Sequence, residues 1–316
     1  MDYITRRHAV AGVALVGAGL IAAGPVTAPE LTTVRARAVA LTMSWDQVFE
    51  NITANAQTVS AANQDALNSL FTGLFGSSAT ENLQTALQAA SLVGAPDDVV
   101  SAVLPHSLGG EADAVDSTTG RDDVHIFNVH QELYDGLSTS DDFHSPVDEP
   151  GYLDFVNFVS SPMSGVLIAA LGPLISPLVA LYNSVSAGEF ADIPANVVNA
   201  FFNGATLDVG QLLPDLLSAV DDYAIEGSDG GEHIDALFFA FGGLFSPGLV
   251  RDGVGDVENG VGGSILNSLG MNMHFVEPDD FAGGHMEMPA IGVGPIAAMA
   301  GLLDIVGQAL SGDLLD

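Results

Sequence analysis

The sequence predicts a mainly α protein with a few short strands (α+β) in the C-terminal half, and no regular β-barrel. Three observations predict it. Apolar residues recur at helical spacing through most of the chain. Proline and capping residues stand at the starts of these runs, and glycine at the ends of several. The repeated runs of about ten alternating apolar and polar residues that a lipid-exposed barrel requires are missing. The composition allows a sizeable core, with 48% hydrophobic and 15% charged residues over 316 positions.

Four segments follow one another. Residues 1–28, extending to 40 on a second reading, look like a signal peptide. Arg6 and Arg7 precede the apolar run "AVAGVALVGAGLIAAG" (9–24), and "VTA" (26–28) or "AVA" (38–40) gives a small-residue cleavage pattern. The run is short for a span of about 20 residues. Residues 41–104 form a helical N-terminal region, 105–150 an acidic insert or loop, and 151–316 an apolar helical C-terminal module.

In the first region Ser44 and Gln47 have the spacing of a capping box. Trp45, Val48, Phe49 and Ile52 then make one apolar face, and Leu67, Leu70, Phe71 and Leu74 repeat it up to Gly76. A helix opening at Thr80 is expected to turn Leu83, Ala86, Leu87 and Ala90 inward, and a further short segment follows Pro96. From 97 to 149 the chain carries 13 Asp/Glu against Arg121 alone, which reads as a long acidic loop. Within it, "DVHIFNVH" (123–130) suits a short strand or a helical turn.

The C-terminal module is uncharged between Asp154 and Glu189, and Pro162, Pro173 and Pro177 are expected to divide that stretch into short core helices. Asp192 is placed to cap the next helix, with Pro194 in its first turn. Val197, Val198, Phe201 and Phe202 lie on one face, and Gly204 fits a left-handed stop. Asp208 and Pro214 restart the chain towards Leu216, Leu217 and Val220. "IDALFFAFGGLFSPG" (234–248) suits a buried strand or a short helix, and "ILNSLGMNMHF" (265–275) turns from helix to strand. Pro295 opens a last helix with Ile296, Met299, Leu302, Leu303, Val306 and Leu310 on its face.

Charge and chemistry exclude several classes. There are 40 acidic residues, six arginines and no lysine, a balance that repels nucleic acid. Without cysteine there are no disulfides and no thiolate chemistry. Behind the signal segment stand His106, His125, His130, His144, His233, His274 and His285, four of them in the acidic insert, with no HExxH spacing. Scattered, solvated histidines are therefore expected, with no metal site and no cofactor. The glycine-rich "GVGDVENGVGGS" lacks a P-loop lysine, and no G-x-S-x-G elbow occurs. Asp221–Asp222 and Asp279–Asp280 read as surface pairs. No catalytic residue is assigned and an enzyme is not expected.

Five blocks, in order, carry a resemblance: "ISPLVALYNSVSA" (175–187), "IPANVVNAFFNGATLDVGQLLPDL" (193–216), "FAFGGLFSPG" (239–248), "GGSILNSLGM" (262–271) and "VGPIAAMAGLLDIVGQALSG" (293–312). Together they resemble the mycobacterial and related actinobacterial exported proteins labelled outer-membrane porin, of the Gordonia porin A type. The likeness covers about residues 151–312, and the insert at 105–150 and residues 273–288 depart from it. It implies an exported cell-envelope protein, porin-like, passing small hydrophilic solutes or cations through a mycolic-acid outer membrane, with envelope lipid or protein partners and a homo-oligomer. The alternative is a secreted or surface-associated interaction module that forms no channel, in the envelope or outside the cell.

Overall fold

The computed structural model describes residues 44–110, 112–116, 121–126, 128–139, 149–227, 232–248, 250, 260–275 and 285–315. The expected signal segment, His144 and the Asp279–Asp280 pair lie outside these. Helices α1 (Trp45–Phe75), α2 (Leu83–Ser91) and α3 (Asp97–Val103) come first. Strands β1 (Ala112–Asp116) and β2 (Arg121–Ile126) lead to α4 (Val129–Ser138), α5 (Tyr152–Val159), α6 (Pro162–Ala169), α7 (Gly172–Ala187) and α8 (Ile193–Asn203). Then come β3 (Ala205–Asp208), α9 (Val209–Leu212), α10 (Pro214–Gly227), β4 (Glu232–Phe241), β5 (Leu269–Phe275), β6 (His285–Met288) and α11 (Pro295–Ser311).

Among the described residues the strands form one antiparallel sheet in the order β2-β1-β6-β5-β4-β3, with β2 and β3 as its edges and no closure into a barrel. Mainly helical architecture with few strands is what the periodicity predicts. The strands are not confined to the C-terminal half, however. The acidic insert supplies the β1–β2 hairpin, and "DVHIFNVH" is strand up to Ile126 and helix from Val129. Alternation there is masked by the aspartates, and pairing with β6 is a long-range contact that no local pattern announces.

Local signals place most helix ends. The Ser44 hydroxyl accepts the Gln47 N–H while the Gln47 side chain returns to the Ser44 backbone N–H. Pro162 and Pro173 each stand in a first helical turn, but Pro177 sits inside α7 without ending it. Its missing N–H removes a single bond near the helix start. Beside it, the buried Ser176 hydroxyl holds the turn through the carbonyls of Gly172 (2.7 Å), Phe241 (3.0 Å) and Gly242 (3.1 Å). Asp192 occupies the N-cap of α8 but makes no capping bond, so Pro194 and packing start that helix. Gly204 stops it with φ +92° and ψ 173°, an extended conformation open to glycine, and the chain continues as β3 rather than directly as helix.

Small residues make the closest of the helix contacts. Helix α11 packs against α1, α2 and α6. Where it crosses α1, Gly307 faces Ser69 and Leu70, and a Cβ there would lie 2.4 Å from the Ser69 carbonyl carbon. Gly73 approaches the Gly307 carbonyl just as closely. The inward residues of α1 are Val48, Val59, Ala66 and Gly73. Those of α2 are Ala86, Ala89 and Ala90, so Leu83 and Leu87 point outward, against expectation. In α11, Ala297, Ala298, Ala300, Ile305, Gly307, Ala309 and Leu310 are buried, while the expected Met299 is exposed. Val197, Val198 and Phe202 are only half-buried and Phe201 is exposed; α8 buries Ala195, Asn199 and Ala200 instead.

Candidate interaction surface

The four later blocks of the family resemblance meet at one junction, the block 293–312 through the Gly294 N–H, which donates to the Ser246 carbonyl at 2.9 Å. The Ser246 hydroxyl donates to the Asn203 carbonyl and accepts the Gly243 N–H, both at 2.7 Å. Asn267, fully buried, accepts the Gly109 N–H at 2.9 Å and donates to the Gly248 carbonyl at 3.1 Å; its own carbonyl accepts the Ile291 N–H. Asn55 of α1 reaches Asn203, which in turn donates to Asn199. The bonds of Asn267 satisfy polar groups that burial would otherwise strand, while those of Asn55 and Asn203 are only half-buried. The blocks are therefore packing determinants, and their asparagines and serines face one another rather than a ligand.

Function has to be sought on the outside, where the same helices carry their largest apolar side chains. On α7, Leu174 is 70% exposed, and Leu178, Leu181 and Val185 continue the face over the following turns. Helix α2 contributes Leu83 and Leu87, and α6 contributes Met163 and Leu167. Along α1 the ends are aromatic: Trp45 and Phe49 lie 6.1 Å apart, and Phe71 stacks on Phe75, itself 84% exposed, at 6.2 Å. Between them runs a shallow open groove over Ile52, Ala56, Ser60 and Gln64. Isolated exposed leucines are ordinary, but the exposed apolar residues of α2, α6 and α7 stand on helices that contact one another in turn, which marks an interaction surface. The spacing places Trp45, Phe49, Leu67, Phe71 and Leu74 on core faces, but α1 turns Val48, Val59, Ala66 and Gly73 inward and leaves these five exposed among polar neighbours.

Among the described residues no single helix is long and apolar enough to cross a membrane; α6 and α7 together pass that test by length and composition, but they are bent by 61°. Their closeness to the interior rests on glycine. A Cβ on Gly165 would meet the Gly263 carbonyl, and one on Gly172 the Gly242 carbonyl.

The histidines are less scattered than the sequence suggests. His130, expected in a solvated loop, is completely buried at the start of α4. Its Nδ1 lies against the Gly109 carbonyl and its Nε2 2.7 Å from the Leu269 carbonyl. Burial pushes its pKa below the ordinary 6.5, although the backbone carbonyls of Leu269, Gly109 and Pro289 pull the other way. Tyr134, on the same helix, donates to Asn157 at 2.7 Å, and burial raises its phenol to about 12. Asp221 is no idle surface acid either: it accepts the Ile234 N–H at 2.8 Å and pairs with His233. His233, His274 and His285 stand directly opposite one another on β4, β5 and β6. Among the described residues no group of three or more histidine and acidic side chains is arranged to hold a metal ion as the side chains stand.

Compared with protein-family models, with curated proteins and with solved structures, the chain has no significant match.

Proposed function

We propose that the protein is an exported cell-envelope protein that works by lying against an apolar phase through the outer faces of α1, α2, α6 and α7. The observation that carries this is the set of large apolar residues on the outer faces of these helices, Leu83, Leu87, Leu167, Leu174, Leu178 and Phe71 among them, while the inner faces are made mainly of glycine, alanine and serine with a few valines and Ile168. Small residues at helix contacts and large apolar residues outside are the arrangement of helices surrounded by lipid. Peripheral insertion needs only that an apolar face sink about 5–10 Å into the interface. With 40 acidic residues against six arginines, attraction to anionic head groups is ruled out, so neutral lipid is the surface this chain suits. The signal-like segment and the resemblance to envelope proteins support the same location. Flotation of the purified chain with neutral lipid vesicles tests it. Co-flotation is expected, and a chain left wholly in the buffer fraction overturns the reading.

The porin-like reading keeps one specific support, the bent apolar pair α6–α7, which has the composition of a broken span. A pore would then be built from several copies, and its acidic walls would favour cations. Planar-bilayer recording decides between the two: discrete conductance steps support a channel, and vesicle binding without conductance supports the peripheral module.

A further inference from the structure

Helix α1 has 31 residues but buries only Val48, Val59, Ala66 and Gly73. Roughly a third of a turn round the helix from that stripe, at about 100° per residue, lies an exposed face. Its middle is the shallow groove over Ala56, Ser60 and Gln64. Its ends are the two aromatic pairs, Trp45 with Phe49 and Phe71 with Phe75. The face has a symmetry of its own. Trp45 and Phe75 stand equally far from Ser60 along the chain, and so do Phe49 and Phe71, and Ala56 and Gln64. A second, identical helix laid antiparallel across Ser60 therefore sets its Phe71 and Phe75 level with Phe49 and Trp45 of the first.

Charge selects that orientation. Helix α1 carries Asp46, Glu50 and Asp65 and no basic residue. In the antiparallel pair these acids fall level with Leu74, Leu70 and Asn55, so no carboxylate meets another. A parallel pair would set each acid beside its own copy, in a chain whose formal net charge is already −34. It would also align the two helix dipoles. The small Ala56 and Ser60 at the crossing suit the separation of packed helices, about 8–10 Å. The area suffices as well. A helix of this length is about 46 Å long and about 12 Å across, so the strip covers about 550 Å² on each copy and about 1,100 Å² in all, above the roughly 1,000 Å² of a specific interface.

The geometry points to a homodimer closed by α1 against α1, antiparallel and two-fold about Ser60, with a cluster of four aromatic rings at each end of the contact. Isologous pairing needs one self-complementary patch, and it closes after two copies. Aromatic side chains are the usual anchors of such an interface. The pairing is made in water. On a vesicle the same face of α1 lies against lipid, so the two contacts exclude each other there. The outer faces of α2, α6 and α7 take no part in the pairing.

The test uses the absence of cysteine from the chain. Single variants Ser60→Cys and Thr58→Cys, the second exposed on the far side of α1, are oxidised mildly in lipid-free buffer. Ser60→Cys is expected to form the disulfide-linked dimer about tenfold faster or more, because pairing raises the local thiol concentration. Mixing Ala56→Cys chains with Gln64→Cys chains should give mixed dimers in excess of either self-linked dimer. Sedimentation equilibrium of the parent chain should show monomer and dimer in exchange. Phe49→Ser with Phe71→Ser should raise the dissociation constant about tenfold or more, as loss of aromatic anchors does. Both phenylalanines are exposed, and thermal melts matching the parent show that the fold is kept. Equal cross-linking at Ser60→Cys and Thr58→Cys, no excess of mixed dimers, a parent chain monomeric at its highest soluble concentration, or a dimer unmoved by the double variant overturns the pairing. Every readout is taken without lipid, so failure of the pairing leaves the flotation result standing, and failure of flotation leaves the pairing standing.

Discussion

The two sides of the helical layer obey opposite rules. Inside, α1 and α11 touch through Gly73 and Gly307, and α6 and α7 rest on backbone carbonyls through Gly165 and Gly172. Outside, the same helices present Phe71, Leu167, Leu174 and Leu178. In an ordinary water-soluble bundle the large side chains fill the core and polar ones face out. Here tight backbone approach at a few glycines stands beside a packed core of Leu92, Leu108, Leu237, Phe239 and Ile305, and further large apolar residues remain on the surface. The comparison teaches that the inner face is defined by what cannot fit there, and the outer face by what needs a partner.

The largest effect should come from filling the inner contact. Gly307→Leu puts a side chain where even a Cβ meets Ser69, so the helices must separate. A loss of about 3 kcal/mol is expected in urea unfolding, the upper end of what overpacking a close-fitted contact typically costs, because here backbone must move. An unchanged midpoint would show that the α1–α11 contact does not hold the fold.

A smaller effect of the inner side depends on pH. The folded chain keeps His130 neutral by burial, so its pKa lies below that of the unfolded chain. The unfolded state therefore binds the extra proton. Stability is fully present above pH 6.5 and is lost as the pH falls from there towards the lowered folded value, at up to about 1.4 kcal/mol per pH unit. Replacing His130 by Gln should flatten that part of the stability profile relative to the parent. Equal slopes in both chains would place the acid sensitivity elsewhere.

The smallest effect on folding, and the sharpest on function, belongs to the outer face. Leu174→Ser with Leu178→Ser should change stability by no more than about 1 kcal/mol in all, about 0.5 kcal/mol for each surface substitution. It should nevertheless remove a large part of the vesicle association. Parallel loss of stability would mean that these leucines are core, and the contrast between the faces would fail.

Much of the fold is legible in the residues. Ser44 with Gln47 marks the start of α1, Pro162, Pro173, Pro194 and Pro295 stand in the first turns of α6, α7, α8 and α11, and "ILNSLGMNMHF" shows its change from helical turn to strand. The β1–β2 hairpin is not legible, because its acidic residues conceal the strand pattern and its partner β6 lies far along the chain. Nor is the histidine row. His233, His274 and His285 have no motif spacing, and only strand register brings them level.

By itself, the sequence determined the helical class, the helix starts, the absence of a barrel pattern and the acidic, cysteine-free character. These are local or additive properties, set by backbone preference, capping and the count of charges. Tertiary structure alone decided which side of each helix turns inward. When both sides are apolar, periodicity is symmetrical between them, and the choice passes to steric fit. Glycine, alanine and serine permit backbones to meet at Gly73–Gly307 and beneath α6 and α7, and the leucines and phenylalanines remain outside.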